Sequence, residues 1–233
     1  MSMTFWRITL RRSINLSKTY VVMGIGLAIY GTALSNLIPL LPSNDINVSI
    51  DLSSIFPILS VALLSLSGLL FSMPVILLFV YDKNNGIFEY LLSTGLDQLD
   101  IFKSYVKASL TLTTFLLTFA IIMNTAIGIA IGSELTFLTS IAILTFLIGI
   151  SVVFLMTVCM IAFSSLQKTR TGANQPLGVS IGIIPVLPAL ILPLIFPSYA
   201  LIIEISIAGI ILLISILLLL SIGRLINREK LLP

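Results

Sequence analysis

The chain has no histidine and a single cysteine in 233 residues. Without histidine there is no imidazole acid–base pair, and the commonest metal ligand is missing. The lone Cys159, inside an apolar run, allows neither an internal disulfide nor a cysteine cluster. No stretch follows the GxxxxGK[ST] pattern, so the chain carries no phosphate-cradling loop of its own. Charge is also scarce: Asp, Glu, Lys and Arg together make up 9% of residues, against about 25% in a soluble domain. Such a chain cannot cover a water-facing surface.

What it has instead is apolar length. Hydrophobic residues reach 58% and the mean hydropathy is +1.19. Only helices or closed barrels span lipid, because backbone polar groups there must be satisfied internally. Barrel strands read as alternating segments of about ten residues. The runs here are continuous and about twenty residues or longer, which predicts an all-α integral membrane protein. Six runs stand out, near Thr19–Leu41, Ser54–Val80, Ser104–Ile131, Leu135–Phe163, Leu177–Phe196 and Leu201–Ile222. The first is too long for a cleaved signal peptide and lacks a small-residue cleavage pattern behind it.

The basic residues predict the orientation. Arg7, Arg11, Arg12 and Lys18 precede the first run, and Lys83, Lys103 and Lys107 flank the second connection. Lys168 and Arg170 lie in the fourth connection, and Arg224, Arg228 and Lys230 close the chain. These are all 12 Lys and Arg residues. The alternate connections hold only Asp45, Asp51, Glu134 and Glu204 at their edges. The positive-inside rule then predicts six spans with both termini in the cytoplasm. The remaining loops are short, so residues 1–233 are expected to form a single transmembrane domain.

Polar groups within the spans are scattered, chiefly Asn124, Glu204 and hydroxyls, and catalysis is not expected. An acid at the bilayer centre costs roughly 2.5–3.5 kcal/mol on insertion scales. Glu204 therefore reads either as an interfacial anchor or as a residue at the outer end of a translocation path. Pro176, Pro185, Pro188, Pro193 and Pro197 cannot share one straight helix, which predicts a broken or re-entrant segment around spans five and six. Gly24-x-x-x-Ala28 and Gly128-x-x-x-Gly132 permit close helix contact, within one chain or across a dimer seam. Asn47-Val48-Ser49 fits a glycosylation acceptor. Thr4–Lys18 is basic and partly amphipathic; Arg7, Arg11 and Lys18 form a stripe suited to anionic lipid or a partner, while Arg12 interrupts the apolar face. Trp6 suits an interface anchor.

The longest polar stretch is Tyr81–Lys103. Asn84-Asn85-Gly86 signals a turn, and Ile87–Leu92 can form about one and a half helical turns with Phe88, Leu91 and Leu92 on one face. Ser93-Thr94-Gly95 ends it, and Gln98–Lys107 begins a second amphipathic piece. The spacing fits a docking helix, and equally a solvated connector resting on lipid headgroups.

The pattern Asp82-x-x-x-Gly86-x-x-Glu89-x-Leu91-Leu92-x-Thr94, between the second and third of six runs, resembles the ABC-2 type permeases. These are the membrane subunits of ATP-binding-cassette exporters. In that family an acidic residue, a Gly-Thr-Leu-Glu-like tetrad and a Leu-Leu pair followed by Thr-Pro form the loop that carries a coupling helix. The basic N-terminal segment and Pro193-Leu194-Ile195-Phe196-Pro197 also match. Here Ile87 and Phe88 replace Thr-Leu, Gly95 replaces the Pro, and the basic residue expected near position 105 is Lys103 or Lys107.

The resemblance implies an N-terminal interfacial helix, a short cytoplasmic coupling helix between spans two and three, and a re-entrant segment near spans five and six. It also implies a plasma-membrane exporter subunit that forms the path with a second permease copy or paralogue. ABC ATPase subunits would dock on Gly86, Phe88, Glu89, Leu91 and Leu92 and would bind ATP and Mg²⁺. No cofactor in this chain and no nucleic-acid partner are expected. A gradient-driven carrier or channel, or a non-transporting membrane assembly subunit, are the alternatives.

Overall fold

The computed structural model describes residues 2–37, 52–166 and 186–225, all discussed below. Among them there is no strand. The helices are α1 (Ser2–Leu16), α2 (Lys18–Leu37), α3 (Leu52–Asn84), α4 (Ile87–Ser93), α5 (Gln98–Ile131), α6 (Leu135–Leu166), α7 (Val186–Ile195) and α8 (Ala200–Leu225). A 3₁₀ turn, Pro197–Tyr199, joins the last two.

Four of these are long and apolar enough to cross a membrane: Pro57–Asn84 of α3, Gln98–Ile131 of α5, Leu135–Ala162 of α6 and Ala200–Ser221 of α8. They make the chain a multi-pass membrane protein. The sequence reading expected six spans. Its first run is the 20-residue α2, which opens on Lys18-Thr19-Tyr20 and approaches its end through Ser35-Asn36. That run, Thr19–Leu41, continues through positions 38–41, which lie outside the described residues. Of its fifth run, positions 177–185 lie outside the described residues. The rest is α7, whose ten residues extend about 15 Å, half of a ~30 Å hydrocarbon core. Also outside the described residues are Asp45, the Asn47 sequon, Asp51, Lys168, Arg170, Pro176, Pro185, Arg228 and Lys230.

Helices α3 and α6 form the centre of the bundle. In their most apolar windows 67% and 61% of residues are buried within the chain, against 28% in α5 and 22% in α8. The last two therefore turn most of their apolar surface outward. Two clusters make the core. One, around Phe71, Phe79, Phe88, Phe102 and Tyr105, joins α2, α3, α4 and α5 with α6. The other, around Val61, Ile76, Leu144, Val152 and Met156, joins α3, α6 and α8.

Lipid tails are as apolar as leucine, so small residues and interhelical hydrogen bonds carry much of the specificity of such packing. A β-carbon on Gly24 would lie 3.0 Å from the backbone of Ser67 and Phe71, so this glycine lets α2 and α3 meet backbone to backbone. Ala28 is buried in the same seam, and Gly128 faces Leu138 and Asn36. The Gly24/Ala28 spacing is thus used inside the chain, whereas of the second pair only Gly128 is, Gly132 facing open space at the end of α5. Across helices, Ser60 donates to the Gly31 carbonyl at 3.1 Å. Ser109 and Thr157 share a hydrogen bond of 2.8 Å between α5 and α6. Asn124 is likewise internal: it accepts from Asn36 at 2.9 Å and from Ser35.

Topology sorts the charges. Helix α3 ends, and α5 begins, at the end of the bundle where α1 packs, and the described basic residues Arg7, Arg11, Arg12, Lys18, Lys83, Lys103 and Lys107 gather there. The first turns of α3, α6 and α8 lie at the opposite end, with Glu134 and Glu204.

Candidate functional site

The connection between α3 and α5 is built as a rigid elbow. Helix α3 closes with Asn85, whose side chain and backbone amide both donate to the Tyr81 carbonyl, at 2.8 and 3.0 Å. Gly86 then takes φ +70°, a left-handed conformation open to glycine at little cost, and the chain re-enters a helix at Ile87.

Helix α4 ends in a Schellman motif. The Leu96 amide donates to the Leu91 carbonyl at 3.3 Å and the Gly95 amide to the Leu92 carbonyl at 3.1 Å. Gly95 supplies the required positive φ of +82°. Leu91 and Leu96, the pair that flanks this motif, both pack on the core. The Ser93 and Thr94 hydroxyls cap the Tyr90 and Leu91 carbonyls, each at 2.7 Å. Proline could not stand at this position, because it cannot adopt a positive φ.

Phe88 fixes α4 from beneath. It is 1% exposed, with its ring centroid 5.0 Å from that of Phe79 and 5.9 Å from that of Tyr105. Phe79 stands edge-on to Tyr105 at 5.1 Å and contacts Phe102 at 5.8 Å. Aromatic pairs of this kind add roughly 0.5–1.5 kcal/mol each beyond area burial. Leu91 and Leu92 are half-buried against the same cluster. The helical face expected from spacing is therefore present, and it points into the chain. Glu89, Tyr90, Ser93, Thr94 and Asp97 form the exposed side, and Tyr90 is 69% exposed. Of the residues marked for docking, Glu89 is at the surface, Leu91 and Leu92 reach it partly, Phe88 is an internal anchor, and Gly86 forms the turn into α4.

Asp82 braces the elbow from the side. It is 0% exposed, yet it accepts two hydrogen bonds from the Arg12 guanidinium at 3.1 and 2.7 Å, and a third from the Tyr105 hydroxyl at 2.5 Å. A bidentate pair of this type is both strong and directional. It ties α1 to the ends of α3 and α5. This explains why Arg12 breaks the apolar face of α1: that face packs on α3 and α5, and Arg12 meets a carboxylate there. Arg7, Arg11 and Lys18 remain exposed, and the Arg7 guanidinium sits 5.7 Å from the Trp6 ring centroid. Among the described residues no group of His, Cys, Asp and Glu is arranged to hold a metal ion.

No protein-family model, curated protein or solved structure matches this chain. The local geometry is thus the ground for a functional reading. Sequence reasoning marked Asp82 as a motif acid but missed both of its partners. Arg12, a lone cation on an apolar helix face, was the signal that could have found one of them. Tyr105 gave no signal.

Glu204 lies apart from this elbow, at the other end of the bundle. It is 2% exposed and lines a cavity of about 260 Å³ together with Pro57, Val61, Phe137, Ser140 and Leu201.

Proposed function

We propose that the chain is the membrane subunit of an ATP-binding-cassette exporter of the ABC-2 permease type. It forms a translocation path with a second permease subunit in the plasma membrane and is driven by separate ATPase subunits that bind ATP and Mg²⁺. The observation that carries this reading is the elbow itself: a short helix with an exposed polar face, held from beneath by Phe88 and from the side by Asp82. A docked partner can move such a helix only by moving α3 and α5 with it. A floppy connector would absorb the push.

In this reading the basic end of the bundle faces the cytoplasm, α1 lies along the interface, α2 is the first of six spans, and α7 is half of a re-entrant segment. ATPase closure presses on Glu89 and Tyr90, and the bundle shifts between inward- and outward-open states. The ATPase drives the shift because it binds the two states unequally. A gradient-driven carrier is the second reading, favoured by one observation, the carboxylate of Glu204 buried within α8.

The test is affinity purification in mild detergent, identification of co-purifying subunits, and an ATPase assay. An ATPase subunit is expected to co-purify with the native chain and to be lost or uncoupled in Glu89→Arg. Absence of any ATPase from the native preparation, or full coupling in Glu89→Arg combined with Tyr90→Asp, rejects the reading.

A further inference from the structure

The cavity beside Glu204 is formed by the first turns of three helices: Pro57 to Val61 of α3, Phe137 to Leu144 of α6, and Ala200 to Glu204 of α8. Its wall is mostly apolar, with Ile58, Val61, Phe137, Ile141 and Leu144 on two sides. Glu204 has no hydrogen-bond or ion-pair partner among the described residues, although it is 2% exposed. Among the described residues no Lys or Arg lines the cavity. The Ser140 hydroxyl already donates its proton to the Thr136 carbonyl at 2.9 Å, and Ser198, the other hydroxyl on the wall, makes no hydrogen bond to Glu204.

An ionised carboxylate only accepts hydrogen bonds, and leaving one buried and unpaired is costly. A ligand that keeps this carboxylate ionised would bring both donors and positive charge. It must also enter an apolar space that lies just below the range of drug-sized pockets. A hard metal ion takes about six or more oxygen ligands, and beside Glu204 the described wall offers only the Ser140 and Ser198 hydroxyls.

We propose that this cavity binds a protonated primary or secondary amine carried on a small apolar body. The ammonium donates to Glu204, and the apolar body rests against Val61, Phe137 and Leu144. This extends the transport reading by naming a ligand class for the end of the bundle opposite α4. The test uses the chain without any ATPase, so binding and coupling fail separately.

The full chain is reconstituted in lipid nanodiscs and titrated with tritiated 2-phenylethylamine, with empty nanodiscs as the blank. Saturable binding at one site per chain is expected. Glu204→Gln keeps the shape and removes the charge. It is expected to weaken binding about tenfold or more, the order of a hydrogen bond to a charged group. Unlabelled 2-phenylethanol, with the same body and no charge, should compete roughly tenfold more weakly than the amine. Folding of the variant is followed by gel filtration and melting. Should Glu204→Gln fail to fold, Ser140→Leu serves instead, filling the cavity while leaving the carboxylate in place, and it is expected to abolish saturable binding. The proposal is overturned by absence of saturable binding to the native chain, by equal affinity in either folded variant, or by equal competition from the alcohol.

Discussion

Arg12 and Asp82, 70 positions apart, meet as a two-pronged ion pair at 2.7 and 3.1 Å, with the acid wholly buried and the Arg12 side chain 38% exposed. Removing one partner of a buried pair strands the other, at a cost of roughly 3–5 kcal/mol. The half-open guanidinium lowers that figure, because water screens exposed charge. Arg12→Ala should therefore destabilise the chain by about 2–3 kcal/mol, read as a lower melting temperature in detergent. The double exchange Arg12→Asp with Asp82→Arg should recover part of the loss. An unchanged melting temperature in Arg12→Ala would mean that the pair does not hold α1 in place.

Phe88 and Tyr90, two residues apart on α4, should separate folding from docking. Phe88→Ala empties a fully buried aromatic site and should cost about 3–5 kcal/mol, with faster proteolysis of the connector. Tyr90→Ala lies on the exposed face and should leave stability within about 0.5 kcal/mol, while reducing ATPase stimulation by the chain. If both variants lower the melting temperature alike, the exposed face of α4 is structural and offers no docking surface.

Gly95→Pro places the residue common among the permeases at a position whose φ is +82°. Proline holds φ near −65° and lacks the amide that donates to the Leu92 carbonyl here. A loss of more than about 1 kcal/mol is expected, whereas Gly95→Asn, which tolerates the left-handed region, should cost less. Hydrogen exchange at the Leu96 amide reports directly on whether the helix end has opened. Faster exchange is expected in the proline variant alone.

The long helices were legible because a chain with 9% charge has few places to interrupt an apolar run. Helix α6, Leu135–Leu166, begins where the run Leu135–Phe163 predicts. The end of α3 was less legible. The apolar run stops at Val80, but the helix continues to Asn84, because Arg12 and Tyr105 complement Asp82 there. That pairing depends on distant residues, so no local pattern announces it. For the same reason the helical face of Phe88, Leu91 and Leu92 could be read from spacing, but not the direction it points. Small-residue spacings carry a similar ambiguity: Gly24 permits a close approach, and only the fold names α3 as the neighbour. The solitary carboxylate of Glu204 was visible from the start, but its depth and its empty surroundings were not.

Helix α3 has a further mechanical consequence. Its 33 residues, with Pro74 in the interior, span about 50 Å, with Pro57 and Val61 walling the cavity near one tip and Phe79 and Asp82 gripping the elbow near the other. A tilt of about 5° swings one tip roughly 4 Å relative to the other. Where such a tilt changes both grips, a ligand at one tip and a partner at the other bias each other by the same free energy.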